Sequence, residues 1–178
     1  KHYYTDQTDN YLQKNYQLLL NHSFSTAWNL NVALHYTKGD GYYEEYKPGS
    51  SLVEYGLKPF NPDGTETNES DLVRQKKMDN KFGGGVFSLN YTGNRLTASL
   101  GGGLNQYRGN NFGKVTWVKN YIGNLSPEHE YYRNKSKKTD GNIYLKANYD
   151  LTSTLSAYAD LQYRHIDYTI DGVNDKYD

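Results

Sequence analysis

The chain has 178 residues, with 20 Lys and Arg against 20 Asp and Glu, so its formal net charge is zero and it lacks the basic surplus expected of a nucleic-acid-binding protein. It contains no cysteine, which excludes disulfides, thiolate zinc sites and thiol catalysis. Only 35% of the residues are hydrophobic and the mean hydropathy is −0.96, yet 20 tyrosines and 17 glycines are present, which excludes an ordinary compact soluble core and favours a β-protein with one apolar and one polar face.

Six segments of the chain alternate between apolar and polar residues, which is the pattern of β-strands. In the clearest segment, residues 28–37, the even-numbered residues are apolar or aromatic and the odd-numbered ones are small or polar. A strand that crosses an outer membrane needs about 9–11 residues, whose side chains point alternately toward lipid and toward the lumen. In chain order, the alternation predicts strands near residues 13–22, 28–37, 82–91, 96–106, 141–149 and 155–165.

The connections between these strands are of two kinds. Residues 23–27, 92–95 and 150–154 are short polar segments typical of hairpin turns. Residues 38–81 and 108–140 are long polar stretches, which we interpret as outer loops. A regular alternation of short turns at one end with long loops at the other is typical of outer-membrane barrels.

Aromatic residues mark both ends of the predicted apolar face. Trp28, Tyr91 and Tyr149 lie beside the short turns, whereas Tyr36 and Tyr163 lie at the opposite ends of their strands. Membrane barrels carry aromatic girdles of this kind where the apolar band meets the lipid headgroups. The sequence therefore predicts an all-β fold: an antiparallel up-and-down meander of about six long strands, part of a larger transmembrane β-barrel in contact with outer-membrane lipid.

The number of strands predicts that the chain is a fragment. The smallest membrane barrels use about 8 strands, and an open six-stranded sheet in lipid would leave two unpaired edges. We therefore expect residues 1–178 to be a single interior segment of a barrel. No run of about 18 apolar residues predicts a membrane helix, and the polar residues 1–10 do not read as a secretory signal.

Four segments, in order along the chain, resemble the barrel portion of TonB-dependent outer-membrane receptors. They are residues 36–47 (YTKGDGYYEEYK), 71–85 (DLVRQKKMDNKFGGG), 110–121 (NNFGKVTWVKNY) and 160–168 (DLQYRHIDY). The resemblance implies a receptor in the outer membrane of a Gram-negative cell, with a barrel of about 22 strands around an N-terminal plug. It also implies active transport of a scarce nutrient such as an iron chelate, cobalamin or an oligosaccharide.

The resemblance implies partners as well. We expect contacts with outer-membrane lipid, with the rest of the barrel and with its N-terminal plug. TonB is expected to be contacted only through the N-terminal part of such a receptor, which is missing from these residues. The cargo is expected to be a small molecule or a glycan, and no nucleic acid is expected.

No motif in the chain predicts catalysis or a resident metal. The histidines form no His-x-His or His-x-x-x-His pair, and the loop carboxylates show no spacing that selects a catalytic pair. The glycine triplets at residues 83–85 and 101–103 lie within strand patterns, not before a helix, which argues against a phosphate loop. We therefore expect no catalytic residue, no metal site, no cofactor and no enzymatic activity.

Aromatic residues of the two long polar stretches are the candidate ligand-binding residues. A ring with a polar tip suits sugars, chelates and corrinoid rings, because it buries apolar area while keeping one hydrogen bond. The external ligand-capture surface is therefore predicted at Tyr42, Tyr43, Tyr46, Tyr55, Trp117, Tyr121, Tyr131 and Tyr132.

Two other classes of protein stay open at this point. An outer-membrane barrel enzyme, such as a protease or a lipase, would need a closed barrel and a charged catalytic pair at its rim. A soluble carbohydrate-binding β-sandwich also has alternating strands. It would refold without detergent and bind glycans through Trp117 or the loop tyrosines.

Overall fold

The computed structural model describes residues 7–57, 63, 65, 67–119, 121 and 129–173. These residues form a short 3-10 turn, Val53–Tyr55, and six β-strands. The strands are β1 (Asp9–Ser23), β2 (Trp28–Ser51), β3 (Glu69–Thr92), β4 (Leu96–Val118), β5 (Glu130–Asp150) and β6 (Ser156–Gly172). Residues 58–62, 64, 66, 120 and 122–128 of the predicted loops lie outside the described residues.

The six strands form one antiparallel sheet in the order of the chain, and the sheet is curled. Residues 24–27, 93–95 and 151–155 connect the strands in pairs at one end, and longer connections join β2 to β3 and β4 to β5 at the other. No helix among the described residues is long and apolar enough to cross a membrane. The predicted all-β antiparallel meander of six long strands is therefore confirmed.

The predicted outer loops at residues 38–81 and 108–140 are wrong in their extent, because most of their described residues belong to strands. In the first loop, β2 continues to Ser51 and β3 begins at Glu69; in the second, only residues 119–129 separate β4 from β5. These strand regions mix polar and apolar residues without a regular alternation, although the backbone ladder continues. We call the described residues between 39 and 80 and between 109 and 137 the extension.

Strand pairing keeps the predicted apolar residues on one face of the sheet. Directly paired residues of antiparallel strands point to the same side, and neighbours along a strand point to opposite sides. One row of paired residues runs from β2 to β6 through Leu30, Leu89, Leu100, Leu145 and Leu161. We call the face that carries this row the apolar face and the opposite face the polar face.

The polar face carries a hydrogen-bonded network of amide and hydroxyl side chains near the short turns. Asn31 donates to Asn29 Oδ1 at 2.9 Å and to Ser88 Oγ at 3.4 Å, and Ser99 donates to Asn90 Oδ1 at 2.7 Å. These bonds link side chains of β2, β3 and β4. Such a surface is compatible with water and costly to place against hydrocarbon.

The extension contains a small hydrophobic core of its own. The connection after β2 folds back against β3 and β4, where Leu52, Leu72 and Val115 are fully buried. Tyr55, Leu57 and Val118 complete the cluster. Full burial of an aliphatic side chain contributes about 1.5–3 kcal/mol, so these few residues stabilise the described part of the connection after β2.

Candidate functional site

The apolar face is the largest candidate functional surface, because its apolar side chains have no second layer over them among the described residues. In the inner strands, the residues Leu34, Leu100 and Leu145 are 49%, 38% and 45% exposed. Aromatic residues bound the band of apolar side chains as predicted, and the ring centroids of Trp28 and Tyr91 lie 4.9 Å apart beside the short turns. A contiguous exposed apolar surface of this size marks an interaction surface.

Both edges of this apolar band slant across the sheet by the same amount. At the edge beside the short turns, the band begins at Trp28 on β2, and its β6 counterpart in the register is Ala159. The apolar residues near β6 begin four positions earlier, at Leu155, which immediately precedes the strand. At the far edge, the band ends at Tyr36 on β2, whose β6 counterpart in the register is Asp167. On β6 the band ends at Tyr163, four residues earlier, which is the same offset. The offset is four residues along the strands over four spacings between strands. With these dimensions, both edges of the band are perpendicular to an axis from which the strands tilt by about 35°.

The height of the apolar band follows from its length and from this tilt. Strands of outer-membrane barrels tilt by about 35–45° and carry an apolar band about 25 Å tall. The band runs from Trp28 to Tyr36, eight steps of about 3.4 Å, which at a tilt of about 35° gives a height of about 22 Å. A β-sandwich, in contrast, would consist of two stacked sheets, and the described residues form one.

The structure brings four of the eight aromatic candidates together. The ring centroids of Tyr55 and Tyr131 lie 4.7 Å apart, and those of Tyr131 and Tyr132 lie 5.0 Å apart. Tyr121 packs against the same core. Tyr55 and Tyr132 are 7% and 9% exposed, so these two rings serve mainly to hold the extension together.

A register shift explains how two consecutive tyrosines reach this cluster. Gly113 pairs with Tyr132, and Lys114 pairs with Glu130, so Tyr131 is the extra residue of a bulge between these two pairs. A bulge of this kind turns successive side chains to the same face. A side chain at Gly113 would collide with both tyrosine rings, so the glycine is required for this packing.

The remaining aromatic candidates lie elsewhere on the extension. Tyr46 and Trp117 are in one row with Val73 on the apolar-face side, where they line a depression of about 370 Å³. Tyr42 is on the same side, with Lys77 Nζ 5.6 Å from its ring centroid. Tyr43 alternates with Tyr42 and therefore belongs to the polar-face side. The eight residues thus do not form one site, and their contact with a ligand stays a prediction.

A polar cluster that the sequence did not reveal joins β2, β3 and the connection after β2. Arg74 donates from Nε and Nη2 to Glu45 Oε2 at 3.1 and 2.9 Å, and from Nη1 to the Tyr55 hydroxyl at 3.1 Å. His129 Nε2 lies 2.6 Å from the Tyr55 carbonyl oxygen, to which a protonated Nε2 donates. Arg74 sits in a polar run without distinctive spacing, so no sequence signal singled it out.

Hydrogen bonds favour the charged forms of two carboxyl groups, Glu45 and Asp71. Burial raises the pKa of the Glu45 carboxyl, but hydrogen bonds from Lys47 and Arg74 outweigh that cost and hold its pKa below the usual range. The pKa of Asp71 is also lowered, first by a hydrogen bond from the Tyr46 hydroxyl and then by the Gly49 N–H. Neighbouring donors already occupy both carboxylates, so their role is structural: they hold the strands and the connection together.

Neither comparisons nor side-chain clusters point to a catalytic or metal centre. Within the described part of the chain, no three His, Cys, Asp or Glu side chains converge as metal ligands would. No protein-family model matches the chain, and a search of curated proteins found no match either. The resemblance to TonB-dependent receptors therefore rests on the four sequence segments alone.

Proposed function

We propose that this chain is part of the wall of an outer-membrane β-barrel, with the apolar face toward lipid and the polar face toward the lumen. The observation that carries the proposal is the apolar band, which crosses six strands, has aromatic residues at both edges and is level at a tilt of about 35°. In a soluble protein, the apolar side chains of a sheet only have to pack against a second layer, so the edges of the apolar band need not lie in one plane. In a membrane, each edge of the apolar band must lie in one plane, because the boundary of the hydrocarbon is a plane.

We further propose that the barrel is an active transporter of the TonB-dependent receptor class, which imports a scarce nutrient. The ordered resemblance of four segments supports this class, as does the extension, which continues the wall beyond the apolar band. A rigid extension of that kind presents side chains to the external medium on a fixed scaffold. The chain contributes binding and passage of the cargo, with no bond made or broken.

The two faces of the extension have different roles in this proposal. Tyr43 and Tyr121 lie on or beside the polar-face side, along which cargo would pass on its way to the lumen. Tyr42, Tyr46 and Trp117 lie on the side that continues the lipid-facing surface. The proposal therefore assigns cargo contact to the first group.

Single spin labels at each residue from 28 to 37 of the full-length protein in bilayers test the membrane wall. Accessibility to oxygen reports lipid, and accessibility to a water-soluble nickel chelate reports water. We expect even positions to report lipid and odd positions to report water. The neighbouring strand at residues 82–91 provides the control, because the register requires odd positions to report lipid there.

Other outcomes of this experiment would overturn the proposal in defined ways. Water accessibility at all positions would indicate a soluble protein, and refolding as a monomer without detergent would then point to a glycan-binding module. Lipid alternation together with hydrolysis of peptide or phospholipid, abolished by one Asp or His substitution, would keep the membrane wall and replace the transporter by a barrel enzyme.

A further inference from the structure

The apolar face carries a row of cations next to the far edge of the apolar band. Consecutive strands from β1 to β5 place one cationic side chain each in a single row of directly paired residues. The row, here called the cationic row, consists of Lys14, Lys38, Lys81, Arg108 and Lys137. Lys14 and Lys38 are two residues beyond the aromatic pair Tyr16 and Tyr36, whose ring centroids lie 6.4 Å apart.

Side-by-side cations of this kind repel one another. Like charges directly opposite on neighbouring strands destabilise a sheet, and this row repeats the arrangement over four strand pairs. None of the five cations forms an ion pair with a carboxylate among the described residues. The sheet therefore accepts a cost that an external anion would offset.

A groove beside the row has the size and charge for an anionic group. It encloses about 610 Å³, and its lining includes Lys81, Arg108, Lys135 and Lys137 against two carboxylates, Asp79 and Asp171. The Nε of Arg108 is held by Gln106 Oε1 at 2.8 Å, which leaves the two terminal nitrogens of the guanidinium available. Guanidinium and ammonium groups together are suited to phosphate oxygens.

The cationic row lies at one end of the apolar band, and the opposite end carries little charge. In the three short turns at the opposite end, residues 24–27, 93–95 and 151–155, the only charged residue is Arg95. Because the band slants relative to the register, Arg108 is four residues beyond Leu104, the last apolar residue of this face on β4. The distance between the row and the edge of the apolar band therefore increases from Lys38 on β2 to Arg108 on β4. The cations thus span a range of depths comparable to the thickness of a lipid headgroup layer.

We propose that the cationic row and its groove bind the phosphate groups of an anionic lipid in the leaflet at the extension end of the barrel. This inference rests on the proposed membrane wall, since the acyl chains of that lipid would lie against the apolar band below the row. Cargo would approach along the polar face, so a phosphate-binding site on the apolar face would bind lipid and not cargo. Phosphates in the row also relieve the repulsion between neighbouring strands.

The test uses full-length protein in detergent micelles, titrated with bisphosphorylated lipid A or with its dephosphorylated form and read by native mass spectrometry. We expect only the phosphorylated lipid to bind tightly, with an affinity that falls as salt increases. The triple variant Lys38→Gln, Lys81→Gln, Arg108→Gln should bind it more than tenfold more weakly, since each cation near a lipid surface contributes appreciably. The matched control is Lys76→Gln, Lys138→Gln, Lys146→Gln, which removes the same charge from the polar face and should change the affinity less than twofold.

A second measurement needs no variant. Phosphorylated lipid A should protect Lys38 and Lys81 of the wild-type protein from acetylation, whereas Lys76 and Lys138 should react at an unchanged rate. Equal binding of the dephosphorylated lipid, equal weakening in the control variant, or complete competition by an equal concentration of inorganic phosphate would each overturn the lipid site. If the spin labels report a membrane wall and the lipid tests fail, this inference fails alone; if the labels report water throughout, both proposals fail.

Discussion

His35 on β2 reaches over β3 to Asn105 on β4, with its Nε2 2.8 Å from Asn105 Oδ1. The residue between them in the same row is Gly84, which has no side chain to block the contact. Strands two positions apart are separated by about 9.6 Å, so two side chains that meet over the middle strand indicate that the sheet curls toward the polar face.

Gly84→Ala should therefore destabilise the sheet. A Cβ at this position would collide with the carbonyl oxygen of Leu104 and with Asn105 Oδ1, and overpacking of this kind typically costs about 1–3 kcal/mol. Gly141→Ala is the control, because its Cβ would meet only Leu104 Cδ1, at an ordinary 3.5 Å. The free energy of unfolding in vesicles, from denaturant titration, should fall for Gly84→Ala and stay equal or rise for Gly141→Ala. Equal effects of the two variants would contradict the account.

Val32→Arg and Ala33→Arg should differ strongly although the residues are neighbours. Val32 is in the middle of the apolar band, in one row with Leu20 and Phe87, whereas Ala33 is on the polar face. An arginine facing lipid near the midplane costs about 2–4 kcal/mol, and one facing a wet lumen costs little. Denaturant titration of the full-length protein in vesicles measures the difference. A larger loss of stability for Ala33→Arg would show that the two faces have been exchanged.

Leu52→Ala should loosen the extension without affecting the spanning part of the sheet. Leu52 is fully buried, and truncation of a buried leucine costs about 2–5 kcal/mol. Hydrogen exchange of the amides of Tyr55 and Leu57, which donate to the Leu52 carbonyl, should accelerate by a factor of about 30 or more. The neighbouring variant Val53→Ala is the control, since Val53 is 58% exposed and should leave exchange nearly unchanged.

Acidification should weaken the extension below about pH 4.5. The pKa values of Glu45 and Asp71 are lowered in the folded state, so each carboxylate stabilises the fold above its unfolded pKa. That stability is lost as the pH falls through the lower, folded pKa. Near-ultraviolet circular dichroism between about pH 7 and 3 should show the loss, and Glu45→Gln should make the pH dependence shallower. A profile that is the same in Glu45→Gln would contradict the assignment to this carboxylate.

The alternation of residues was sufficient to predict six strands, their short turns and the two faces. This succeeded because an apolar residue at every second position has one consistent placement when one side of a sheet is apolar. The pairing of Leu30 with Leu89 and of Leu100 with Leu145 followed the predicted faces. The extension escaped notice, since paired polar strands satisfy their backbone groups without any alternation in hydropathy.

Composition and periodicity by themselves determined the class of fold and which side chains share a face, because both depend on local strand geometry. Tertiary structure decided what no spacing in the chain encodes. It placed Tyr55 against Tyr131 through a fold-back connection and a bulge, and it joined Arg74 on β3 to Glu45 on the neighbouring β2. It also aligned five cations in one row, because the register of each strand pair is set by the whole sheet and not by any one strand.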